Sequence, residues 1–209
     1  MKLYQFPLSP NCQKVIALAY EVGVSLETAA VDLFKGESRA PELLAKNPNG
    51  KLPILEDGDF VLWESNAMLG YIAAKVDRTD LAPTTPRERT DIDHWLTWHN
   101  THFRPAIGKV AFQRIVKKLG GLGAPDEAIV TQGSEEFTRA AGALEQSLGS
   151  KEFLCGRLTI ADFALATYAA LTESCGLDFQ PYPRAKAWRD RMSARESLRK
   201  TFASARAAQ

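Results

Sequence analysis

The sequence predicts an α/β domain over residues 1–77 followed by an all-α domain over 87–209, with a linker at 78–86. Three observations lead to that reading. Strand-like and helix-like patterns alternate through the first part in the order βαβαββα. The stretch from Arg78 to Pro86 is polar and carries Pro83 and Pro86, as a boundary does. Beyond it, helical periodicities succeed one another without a convincing alternating strand.

Residues 3–6 read as a short strand, closed by Pro7-Leu8-Ser9-Pro10. Val15, Ile16, Leu18, Ala19 and Val22 then recur at helical spacing and stop at Gly23, with Pro10 suited to the first helical position. Residues 27–31 form a second strand, and a polar loop through Arg39 leads to a short helix over 41–46. The breaker Asn47-Pro48-Asn49-Gly50 ends it. Residues 52–56 and 60–63 make a hairpin around Asp57-Gly58, and a helix over 65–75 follows with Ser65 as its expected N-cap. In the second part a long helix spans about 87–119, with a bend expected near Pro105. Helices over 126–148, from Thr159 onward, and over 184–193 follow. Thr159-Ile160-Ala161-Asp162 has the pattern of a structural capping box. The Ala/Arg-rich stretch after Thr201 reads as a tail.

Bulk properties exclude several function classes. With 26 basic and 25 acidic residues the net charge is +1, which gives no electrostatic case for nucleic acid or an anionic membrane. No apolar run approaches the length of a spanning helix, and the N-terminus lacks the pattern of a secretory signal. Three cysteines, at 12, 155 and 175, do not form a disulfide framework, so a reducing, cytoplasmic setting is expected. His94, His99 and His102 have no acidic or cysteine partner at ligand spacing, and no metal is expected.

The most informative stretch is 49–65. Pro53 at the mouth of the first hairpin strand leaves the preceding backbone groups free for another partner. Glu64-Ser65 opens a helix whose N-terminus favours a carboxylate. Together these suggest a site for an extended, peptide-like anion.

Over nearly its whole length the chain resembles the cytosolic glutathione S-transferases, in particular the serine-type classes (phi, theta, delta and bacterial relatives). The resemblance is carried by Ser9-Pro10-Asn11-Cys12-Gln13-Lys14-Val15, Asp32-Leu33-Phe34-Lys35-Gly36-Glu37, Asn47-Pro48-Asn49-Gly50-Lys51-Leu52-Pro53, Asp57-Gly58 and Glu64-Ser65, in matching order and spacing. It implies a thioredoxin-like N-terminal domain with a cis Pro53, a helical C-terminal domain and a homodimer. The implied activity is detoxifying: glutathione, as co-substrate, is activated as thiolate for attack on a small hydrophobic electrophile.

The resemblance also implies roles for individual residues. Ser9 would donate its hydroxyl to the sulfur, with Asn11 as a second donor. Cys12, at the same helix N-terminus, is either a reactive thiol or a packed apolar residue. Leu52, ahead of Pro53, would pair with the cysteinyl backbone of glutathione. Glu64 and Ser65 would take the γ-glutamyl end, and Lys51 and Arg39 the glycyl carboxylate. Relatives of the phi type carry a His-Lys pair where this chain has Ser38-Arg39, so one cation is lacking there. The acceptor pocket would lie between Leu8 and the long helix of the second domain, with His102, Phe103, Ile107 and Phe112. The alternatives are glutathione-dependent reduction of peroxides or disulfides at the same site, and a non-catalytic glutathione-binding or interaction module.

Overall fold

The computed structural model describes residues 1–207. Residues 208–209, with which the expected helical domain closes, lie outside the described residues. The chain divides into two compact units, Met1–Pro83 together with Arg195–Gln209, and Thr84–Ala194. The terminal segment, read from sequence as the end of the helical domain, therefore groups with the sheet.

The first unit holds β1 (Lys2–Gln5), α1 (Pro10–Glu21), β2 (Glu27–Ala30), α2 (Pro41–Leu44), β3 (Ile54–Asp57), β4 (Phe60–Trp63), α3 (Ser65–Lys75) and the terminal helix, α11 (Glu196–Ala207). The sheet order is β2-β1-β3-β4, with β1 parallel to β2 and antiparallel to β3, and β3 antiparallel to β4. The fold matches the expected thioredoxin-like arrangement. Strand alternation divides the sheet's side chains between its two faces. Leu3 pairs across from Leu55, both fully buried, while Ile54 packs with Val31 and Leu43 in a second cluster that Tyr4 and Leu52 join. In the hairpin, Asp57 pairs with Phe60, so Gly58 and Asp59 form the turn, and Gly58 takes φ +64°.

Three local readings are corrected. Glu64, not Ser65, is the N-cap of α3, at φ +74°, because β4 ends at Trp63 and a single residue makes the strand-to-helix turn. The short helix ends at Leu44 rather than 46 and is preceded by a 3-10 turn over Glu37–Arg39. The stretch read as a tail is helical: α11 packs on α1, with Leu198, Thr201 and Ala205 buried on one face.

The second unit holds α4 (Pro86–Trp98), α5 (Arg104–Ala111), α6 (Lys117–Gly120), α7 (Glu127–Leu148), α8 (Ile160–Ala169), α9 (Thr172–Cys175) and α10 (Pro183–Ser193). The expected long helix is continuous from α4 to α6 but passes through π turns at His99–Phe103 and Phe112–Val116. The first π turn leads directly into the α5 turn that contains Pro105, which lacks an N–H for the regular ladder. Gly133 of α7 lets α5 approach closely: a Cβ there would stand 2.8 Å from Val110 Cγ2 and 3.0 Å from the Ala106 carbonyl oxygen.

The predicted capping box is present at α8. Asp162 Oδ2 accepts from Thr159 N at 2.9 Å, and Oδ1 accepts from Leu154 N at 3.0 Å and Trp188 Nε1 at 2.9 Å. Burial pushes the Asp162 carboxyl up while these donors oppose it. Its role is to hold three backbone or ring N–H groups inside the core.

Candidate functional site

The predicted site residues of the first unit fall on three short stretches, 8–12, 51–53 and 64–65, with Arg39 apart from them in the 37–39 turn. Ser9 is the N-cap of α1, and its hydroxyl makes no capping bond. Its carbonyl accepts from Cys12 N at 3.0 Å and Gln13 N at 2.9 Å, so the main chain alone forms the turn. Gln13 Nε2 donates to the Pro7 carbonyl at 3.0 Å and ties the 7–10 loop to the helix. No acidic residue stands in the first turn of α1 to offset the positive end of its dipole from within the helix. Asn11 and Leu8 are half-buried in the same region.

Cys12 has no exposed surface. Burial pushes its thiol up to about 11, against smaller opposing effects from the Phe6 backbone, the Ser9 side chain and the charge of Lys14. A thiol in that state is a packing residue and not a nucleophile at neutral pH.

Leu52 and Pro53 precede β3 and lie outside both of its ladder registers, and the peptide between them is cis. The loop before them is built by Asn47, which is buried. Asn47 Nδ2 donates to the Lys51 carbonyl at 2.8 Å, and Asn47 Oδ1 accepts from Asn49 N at 3.1 Å and Asn49 Nδ2 at 2.9 Å. Gly50 takes φ +61°, and a Cβ there would stand 3.4 Å from Arg39 Cγ, so Arg39 lies against this loop. Lys51 and Arg39 are both exposed, and Ser38 is buried.

Glu64 is exposed and Ser65 buried at the start of α3, whose first turn also lacks an acidic residue. The opening N–H groups of a helix have no intrahelical acceptor. Lys14 Nζ donates to Asn66 Oδ1 at 2.6 Å, joining α1 to the first turn of α3. The unit therefore offers main chain suited to strand-like pairing, two helix N-termini suited to anions, and surface cations beside the loop. That set fits an extended anionic peptide.

In the second unit, Phe103 and Ile107 have no exposed surface, and Phe103 stacks on Trp98 with ring centroids 5.5 Å apart. Both are core residues, which corrects their expected place in the lining of an acceptor pocket. His102 and Phe112 are exposed. His102 lines an open groove of about 490 Å³ with Trp98, Lys109, Glu136 and Arg139. Among the described residues no group of three His, Cys, Asp or Glu side chains could hold a metal ion.

Two contributors were not singled out in the sequence. Lys14 stands among the buried positions of α1, with Cys12, Val15 and Leu18. A lysine on an inward stripe is the signal that would have found it. In the sequence Asn47 signals only a breaker, since its side-chain bonds reach residues whose turn geometry the sequence does not give.

Comparison with known proteins identifies the family. Residues 1–74 match the family model "Glutathione S-transferase, N-terminal domain", and residues 103–196 match "Glutathione S-transferase, C-terminal domain". The chain is 37% identical to glutathione S-transferase 3 of Zea mays, over 97% of this chain and 93% of the relative. It resembles the crystal structure of glutathione transferase F7 from Populus trichocarpa, with a TM-score of 0.89, 32% identity and 98% of each chain covered. It also resembles glutathione S-transferase-I bound with lactoylglutathione, with a TM-score of 0.88, 27% identity, and coverage of 97% of this chain and 98% of that one. The chain belongs to the glutathione S-transferase family of enzymes.

Proposed function

We propose that this enzyme binds glutathione on its first unit, ionises the thiol beside Ser9, and transfers the sulfur to an electrophilic carbon of a small hydrophobic acceptor. The observation that carries the reading is Ser9 itself: a hydroxyl at the N-terminus of α1 that makes no cap to that helix. The thiolate is the nucleophile, and lowering a thiol pKa by about two units requires roughly 2.7 kcal/mol of differential interaction. A hydrogen bond to the anion, worth about 1.5–3 kcal/mol, with a helix N-terminus adding about 0.3–1 kcal/mol, reaches that figure. Asn11 is a second donor in the same turn.

Glutathione would lie with its cysteinyl backbone against Leu52 ahead of Pro53. Glu64 and Ser65 would hold the γ-glutamyl end, with Lys51 and Arg39 toward the glycyl carboxylate. The free energy of this clamping is spent on positioning the sulfur. Of the expected acceptor-lining residues, Leu8, His102 and Phe112 retain accessible surface. Disulfide reduction through Cys12 is disfavoured by its burial and its raised thiol pKa.

A homodimer is supported by the edge strand β4, which exposes Phe60, Val61 and Trp63. A cytoplasmic setting is supported by three free cysteines. The test is Ser9→Ala, assayed by conjugation of glutathione to a chlorinated nitroarene and by calorimetric glutathione binding. Turnover should fall roughly tenfold or more with binding retained. Unchanged turnover would remove Ser9 from the mechanism.

A further inference from the structure

Lys14 is fully buried, and its Nζ donates to Asn66 Oδ1 at 2.6 Å. Burying a lysine is costly, and such groups persist where they do something an apolar residue could not. The two residues it joins stand at informative places. Lys14 lies one turn into α1, past Ser9, Asn11 and Cys12, and Asn66 directly follows Glu64 and Ser65. The bond thus spans the two helix starts to which the sulfur and the γ-glutamyl end of glutathione are assigned above.

We infer that Lys14 is a positioning residue for bound glutathione: it fixes the α3 start against the α1 start and supplies a positive charge beneath the sulfur subsite. This rests on the glutathione site proposed above and adds to it a residue that need not touch the substrate. The backbone at Glu64, at φ +74°, is the part most in need of such a brace, since a non-glycine residue holds that conformation only when its surroundings enforce it. The charge is felt in the first turn of α1, where Lys14 favours the ionised form of the Cys12 thiol. A glutathione thiolate near Ser9 would feel the same sign of field.

Other charged groups bear on α1 from its own length and from α3 and α11, the helices packed against it. Tyr20 and Glu21 lie at the far end of α1, where Arg195 engages Glu21. Tyr71 and Lys75 of α3 are both bonded to Asp57. On α11, Glu196 pairs with Lys200, and Arg199 and Arg206 complete its charges. Asn66 is neutral, so this bond by itself carries position and does not cancel charge.

The experiment compares Lys14→Met, Lys14→Arg, Asn66→Ala and Ser9→Ala, each checked for a cooperative thermal transition and assayed with glutathione and a chlorinated nitroarene across pH. For Lys14→Met the KM for glutathione should rise about tenfold while that for the nitroarene stays within about twofold. The pH midpoint of kcat/KM should move up by about half a unit or more, and Lys14→Arg should restore it. Asn66→Ala, which removes the bond and keeps the charge, should raise the KM for glutathione about threefold with little change in the midpoint. A folded Lys14→Met enzyme with an unchanged midpoint overturns the inference, as does a shift that arginine does not rescue. If Lys14→Met fails to fold, an unchanged glutathione KM in Asn66→Ala overturns it instead. Ser9→Ala separates the two readings. Full activity there removes Ser9 from the thiolate step on which the proposed function rests, whereas loss there with normal Lys14 variants overturns only the role of Lys14.

Discussion

Glu21, at the end of α1, is held by Arg195, 174 positions later in the chain. Arg195 Nε donates to Glu21 Oε2 at 3.3 Å, and Ser197 Oγ donates to the same oxygen at 2.7 Å. Burial alone would raise this carboxyl, but the Arg195 and Ser197 bonds with the nearby guanidinium charges hold it below the usual range. A carboxyl whose folded-state pKa is depressed contributes stability above its unfolded pKa, near 4.3, and loses it as pH falls through the lower folded value. Glu21→Gln should therefore cost about 1–2 kcal/mol at pH 7 and flatten the decline in stability below about pH 4.3. Urea midpoints between pH 7 and pH 3 measure this, and equal slopes for both proteins would remove Glu21 as the source.

Asp162 should be far less replaceable. Asp162→Ala leaves the N–H groups of Leu154, Thr159 and Trp188 without their acceptor inside the second unit. The expected loss is about 3 kcal/mol or more, read from equilibrium denaturation, and Asp162→Asn should recover only part of it because the amide nitrogen cannot accept. A loss below about 1 kcal/mol would mean that those donors find water on truncation.

At Gly133 a single methyl group is the test. Gly133→Ala would place its Cβ against both Val110 and the Ala106 carbonyl, and a helix carbonyl cannot step aside as a side-chain tip can. The α5–α7 contact should open at a cost of about 1–3 kcal/mol, despite alanine's better helix propensity. Calorimetric melting of Gly133→Ala alone and with Val110→Ala checks it. The double variant should recover part of the loss, with the remainder due to the backbone contact.

Cys12 should be silent toward a soluble disulfide reagent in the native protein and react once the protein is denatured. Its thiol has no exposed surface and is raised to about 11. Cys12→Ala should keep glutathione conjugation within about threefold, since it removes packing and not a nucleophile. Rapid native labelling at position 12, followed by loss of turnover, would restore a role for this thiol.

The fold was legible where a residue's local preference and its burial agree. Asp57-Gly58 between two apolar runs specifies a hairpin because the turn needs φ above zero where glycine stands. Thr159 and Asp162 announced their capping box through side chains that act on their own backbone. Legibility failed where the deciding partner was distant. The buried face of α11 is formed by Leu198, Thr201 and Ala205, too weak an apolar stripe to stand out without α1 beside it. Glu64 became the cap because the preceding strand ran to Trp63, which depends on register. Phe103 and Ile107 looked like pocket-lining residues on a helix face, and only packing reveals that they are fully enclosed. Lys14 lies within the first-turn motif, yet its partner Asn66 lies 52 residues away.

The seating of α11 on α1 also sets an order of events during synthesis. The unit that carries Ser9, Leu52 and Ser65 joins residues 1–83 to the helix Glu196–Ala207, so it reaches its finished form only after that helix has left the ribosome. The stretch from Thr84 to Ala194 is continuous and has emerged in full by then. A nascent chain halted before position 195 would therefore carry every residue assigned to glutathione, yet leave one flank of its first helix bare.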